Sequence, residues 1–212
     1  MLLVSDELIG TNCPNSSIKY ISSKEMFLDE ARSVIKSELK GHEQGPVLVA
    51  VGSYHISASY NGWTPESIDG CEVQCVKDAL ICFEKELHRF SKLSRKFGVK
   101  ISICSLIPLP NEQDCDNTPS RKAFLTHIIS KLFVKANEAI EQYNNAQHVT
   151  TLKLKKFMDE GNHNFYMTGQ RKIKKNKYNE KGLPNARAVN ILMNKSVDKI
   201  ISLSRDVNNN FM

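Results

Sequence analysis

No stretch of this chain approaches the roughly 18 consecutive apolar residues that a membrane-spanning helix needs. Nor does a basic stretch followed by an apolar run open it, so no signal peptide is expected. Cysteine is present only at Cys13, Cys71, Cys75, Cys82, Cys104 and Cys115, and no pair has the C-x-x-C spacing of a zinc or redox site. That argues against a disulfide framework and for a reduced, intracellular protein. Cys71, Cys75 and Cys82 fall at helical spacings, where a thiol is expected to pack as a small hydrophobe. There is no internal repeat and no long linker, so residues 1–212 are expected to form one domain. No nucleotide-binding or metal-binding signature stands out, and no cofactor is expected.

What the chain does have is localised charge. Its net charge is +6. Between Gln170 and Arg187 lie Arg171, Lys172, Lys174, Lys175, Lys177, Lys181 and Arg187, against the single acid Glu180. Seven bases and one acid equal the excess of the whole chain, so the remainder balances. A balanced domain carrying one basic segment implies a negative partner met locally. Asn176, Tyr178 and Asn179 interleave with the lysines, and such residues can meet bases or sugars while lysine meets phosphate. The plainer reading of a lysine run is a solvated surface.

The apolar pattern predicts short strands alternating with helices. Strands are expected at Leu2–Val4, Ile18–Ile21, Pro46–Val51, Val99–Ile107 and Val149–Leu154. Phe27, Ala31, Val34, Ile35 and Leu39 mark a helix, with Ser23 as its N-cap and Gly41 as its stop. Val73 to Phe90 is a long amphipathic helix ending at Gly98, Leu125 to Ile140 another, and Val189 to Leu203 the last. Parallel strands need crossover helices, so the fold class is α/β, a three-layer α/β/α domain with a five-stranded parallel sheet. In such sheets functional loops sit at the carboxyl ends of the strands.

Three of those ends are polar: Ser5-Asp6-Glu7-Leu8, Gly52-Ser53-Tyr54-His55, and Asp159-Glu160-Gly161-Asn162-His163. Their order resembles the SGNH (GDSL-type) hydrolases. The resemblance implies a nucleophilic serine after the first strand, an oxyanion-hole asparagine after the third, and an acid–base pair near the C-terminus. This chain departs at each point. Glu7 stands at the serine position, Tyr54 at the asparagine position and His55 at the following aspartate. His163 matches the family's histidine, with Glu160 as its acid. A serine mechanism needs a hydroxyl within reach of a base, and losing one oxyanion donor typically costs about 10²–10³ in rate. Hydrolysis is therefore not expected.

A degenerate SGNH domain with a basic C-terminal run (Arg171 to Lys181, then Asn185-Ala186-Arg187-Ala188) also resembles the OSK-domain family of insect germ-plasm organisers. That resemblance implies a non-catalytic domain that binds single-stranded regions of maternal mRNA in germ granules. It also implies contacts with granule proteins and a monomeric domain, since a separate domain handles dimerisation in that family.

Plainer alternatives stand beside these. Asp6, Glu7, His55 and His163 could ligate a metal, but a hydrogen-bonded relic of an active site explains them as well. His55 could be a general base, or a half-buried structural histidine. Tyr60 and Trp63 could stack on a base, or anchor their loop. A rearranged esterase could use Ser5, Ser53 or Ser57 with His163, and a scaffold role could use the same fold without RNA.

Overall fold

A computed structural model describes residues 1–6, 19–23, 25–41, 45–106 and 119–149. Four strands are present among them, all parallel, in the order β2-β1-β3-β4. β1 (Leu2–Asp6) and β3 (Val47–Ala50) are buried at every residue and lie centrally. The apolar runs Leu2–Val4 and Val47–Ala50 follow from cover on both faces, which leaves no side for an alternating polar pattern. β2 (Lys19–Ser23) is more exposed and forms one edge. β4 (Ile101–Ile103) pairs with Val47, Leu48 and Val49 of β3.

Four of the five expected strands fall among the described residues. The fifth, at 149–154, lies outside the described residues except for Val149, as does the helix expected at 189–203. The apolar run at 99–107 gives three strand residues, Ile101–Ile103, and the Cys104 amide still donates to the Val49 carbonyl at 2.8 Å. The side chain of Asn137 bonds the backbone of Leu106, Nδ2 donating to its carbonyl and Oδ1 accepting from its amide.

α1 (Leu28–Lys40), α4 (Glu72–Phe97) and α5 (Pro119–Ala146) pack with two short helices, α2 (Ser53–Ser59) and α3 (Pro65–Ile68). Leu2, Val4, Val49, Ile101 and Ile103 meet Ile35 of α1, Phe83 and Phe90 of α4, and Leu132 and Phe133 of α5 in one core. Each large apolar side chain removed from water contributes about 1.5–3 kcal/mol. Ser23 is not the N-cap of α1: β2 runs through it, and Phe27 takes the cap position without a side-chain bond. Gly98 does end α4, in the left-handed conformation at φ 64° that glycine adopts without steric cost.

α5 also closes the outer edge of β4. Asn144 is fully buried, and its Oδ1 accepts from the Ile103 amide at 3.0 Å while its Nδ2 donates to the Ile103 carbonyl at 2.8 Å. One side-chain amide thereby bonds both backbone groups of Ile103. Among the described residues no helix is long and apolar enough to cross a membrane.

Candidate functional site

The parallel sheet brings the carboxyl ends of β1, β3 and β4 to one side, where this architecture builds its sites. β1 delivers Ser5 and Asp6, both buried. Ser5 Oγ and Tyr20 Oη of β2 are hydrogen-bonded at 2.8 Å. Ser5 is therefore held by a phenol and not by an imidazole.

β3 leads through Gly52 directly into α2. Gly52 has φ 130°, and a Cβ there would come within 2.9 Å of Leu106 Cδ2. Only glycine makes this turn without strain. The turn buries Ser53 and leaves Tyr54 and His55 half-buried in the first turn of α2. Ser57, one turn on, is hydrogen-bonded to Tyr60, whose hydroxyl is pushed above its ordinary pKa mainly by burial. Of the three serines considered as nucleophiles, Ser5 and Ser57 each bond a tyrosine, and Ser53 is buried.

The His55 ring lies between two aromatics. Its centroid is 6.0 Å from that of Phe27, edge-on, and 6.1 Å from that of Phe83. Its Nδ1 is buried without a hydrogen-bond partner. Burial pulls its pKa below 6.5, against the opposing charges of Asp29 and Glu86. A neutral ring seated between α1 and α4 packs as an aromatic, and among the described residues no hydroxyl is positioned to give it a proton. The structural reading of His55 holds in part: it is half-buried, but one nitrogen has no partner.

Past β4, Cys104 is fully buried. Its thiol is driven far above the ordinary cysteine pKa by desolvation first and the Asp6 charge second. It therefore stays protonated and is no nucleophile. Among the described residues no three His, Cys, Asp or Glu side chains come together as a metal site. Tyr60 is buried, with Trp63 at 6.2 Å and Phe133 at 6.3 Å between ring centroids, so this pair anchors its loop.

Glu7, Glu160 and His163 lie outside the described residues, as do Arg171, Lys172, Lys174, Lys175, Lys177, Lys181 and Arg187. Two features escaped the sequence reading. Glu86 is a buried acid on α4, ion-paired with Arg32 of α1 at 3.0 Å and with Arg89. No sequence signal distinguishes it from the exposed Glu84. The cysteines are a partial correction: Cys71 and Cys82 are exposed, while Cys75 is half-buried and packs against the core. Their spacing was helical, but the inward face of α4 is set by Ala79, Leu80, Phe83, Leu87 and Phe90.

No protein-family model and no curated protein matches the sequence. Solved structures do match in fold. A GDSL-like lipase from Bacteroides thetaiotaomicron VPI-5482 superposes with a TM-score of 0.62 at 9% identity, over 96% of this chain and 87% of its own. A lipolytic G-D-S-L family member from Veillonella parvula DSM 2008 gives 0.57 at 10% identity, over 93% and 95%. The esterase EstA from Pseudoalteromonas sp. gives 0.53 at 14% identity, over 95% and 98%. With the parallel sheet and the glycine turn after β3, these similarities establish an SGNH-hydrolase-like α/β fold.

Proposed function

We propose that this chain is a non-catalytic SGNH-like domain that binds single-stranded RNA through its basic segment, Arg171 to Arg187. The observation that carries the loss of catalysis is the element after β3. In a hydrolase of this family that element presents a donor to the reacting oxyanion. Here it holds Tyr54 and a neutral His55 packed between Phe27 and Phe83. Glu7, in place of the serine, removes the nucleophile as well. The similar lipases and esterases share the fold, and fold alone does not carry activity across.

RNA is favoured as the partner by charge concentrated in one segment and interleaved with Asn and Tyr. The resemblance to the OSK domain of Oskar extends this to maternal mRNAs and to germ-granule assembly in the cytoplasm. The test is a titration of labelled single-stranded RNA into the full chain and into a Lys174→Ala, Lys175→Ala, Lys177→Ala variant. Weaker binding with a shallower salt dependence is expected for the variant. Unchanged affinity and slope would make the segment a solvated surface and favour a scaffold role. Turnover of an activated short-chain ester that disappears on changing His163 would restore the hydrolase reading.

A further inference from the structure

The balance of charge outside the basic segment conceals a second cationic surface. On α4 the exposed charged residues of the first half are mixed: Lys77, Asp78 and Glu84. From Lys85 onward the exposed face carries Lys85, His88, Arg89, Lys92, Arg95 and Lys96, with the exposed acid Glu84 at its edge, lining the same surface depression as Lys85, His88, Arg89 and Lys92. The one acid in that stretch, Glu86, is turned inward to Arg32 and Arg89. Among the described residues no carboxylate pairs with Lys85, Lys92, Arg95 or Lys96. Lys85 and Arg89, Arg89 and Lys92, and Lys92 and Lys96 stand three or four residues apart, where like charges repel. The negative end of the helix macrodipole accounts for cations in the last turn, Arg95 and Lys96. Its influence does not reach Lys85, Arg89 or Lys92, which lie further inside.

Lys85, Arg89, Lys92 and Lys96 recur about once per turn. They form a line about 16 Å long, at 1.5 Å rise per residue. A line of cations, of which only Arg89 has a carboxylate partner among the described residues, fits an extended phosphodiester backbone better than a compact anion. His88 adds a ring on the same face, a group on which an unpaired base can stack. We infer that the outer face of the second half of α4 is a further RNA-backbone contact, centred on Lys85, Lys92 and Lys96. This rests on the RNA-binding reading above and adds a surface to it that the basic segment does not contain. Arg89 is held by Glu86 and serves both packing and surface.

The experiment compares three forms of the full chain with a labelled oligouridine RNA over a range of salt concentrations. They are the unaltered chain, the Lys174→Ala, Lys175→Ala, Lys177→Ala variant, and a Lys85→Gln, Lys92→Gln, Lys96→Gln variant. All three lysines are exposed, so the Gln variant is expected to keep its melting temperature, and Lys→Ala at the same positions is a second version. Each phosphate neutralised on a single strand contributes about 0.7 to the slope of log affinity against log salt, so losing three contacts lowers it by about 2. A drop of that size in the α4 variant, additional to that of the segment variant, is the expected result. Binding by the unaltered chain with an unchanged slope in the α4 variant would overturn this contact and leave the basic segment standing. No binding by the unaltered chain would defeat both. Retention on phosphatidylserine vesicles, lost in the α4 variant while RNA binding is unaffected, would assign the face to a membrane surface and overturn it too.

Discussion

The carboxyl end of the sheet and the outer face of α4 treat their polar groups in opposite ways. At the strand ends polarity is turned inward. Ser5 is bonded to Tyr20, Cys104 is kept protonated, and His55 is neutral between two phenylalanines. On α4 the cations face water, and among the described residues only Arg89 of them has a carboxylate partner. A hydrolase needs the reverse, with activated groups at the strand ends and an unremarkable outer surface. On the proposed reading, this SGNH-like fold keeps its strand ends as packing and presents charge elsewhere.

The largest effect that sharpens this contrast belongs to the inner face of α4. Phe83 is fully buried and touches the His55 ring, so Phe83→Ala should cost about 3–5 kcal/mol. Lys92→Ala on the opposite face should stay within about 0.5 kcal/mol. Urea denaturation of both variants measures the pair. Equal losses would mean that the outer face is structural, and the charge reading would fail.

The next effect lies at the edge of β4. Asn144→Leu would strand the Ile103 amide and carbonyl, and each buried unsatisfied group costs about 1–3 kcal/mol. The loss should appear in the denaturation midpoint and as faster hydrogen exchange at Ile103. Unchanged exchange would show that α5 does not seal this edge.

A smaller effect is pH-dependent. The folded pKa of His55 is lowered by burial, so the unfolded chain takes up its proton more readily. This contribution to stability is whole above about pH 6.5, the ordinary value, and declines as pH falls through the lowered folded pKa. His55→Phe should therefore reduce the loss of melting temperature between neutral and mildly acidic buffer. A larger loss in the variant would mean that His55 is charged in the folded state, as a general-base role with an acidic partner would require.

Much of the frame was legible in the residues. Leu2–Val4 and Pro46–Val51 read as buried strands because apolar runs of that length bounded by polar or glycine positions have few other uses. Gly98 announced the end of α4, since the helix stops where the chain turns left-handed. Ser23 misled because cap chemistry is local, whereas the extent of β2 is set by its pairing with β1 from Leu2 to Asp6. Tyr54 and His55 were identified by position. That His55 would lie against Phe27 was not readable, since it depends on how α1 meets α2 in space. The cations of α4 were hidden for a simpler reason: a sum over sequence cancels charges that a helix places on different faces.

The central claim, that function has left the strand ends for charged surfaces, is tested most directly by photocrosslinking the full chain to labelled single-stranded RNA and mapping the attached peptides. Crosslinks within residues 171–187 and on α4 between Lys85 and Lys96, with none at Ser5–Asp6 or Gly52–His55, are the expected result. Crosslinks confined to the strand ends, or none at all, would contradict it.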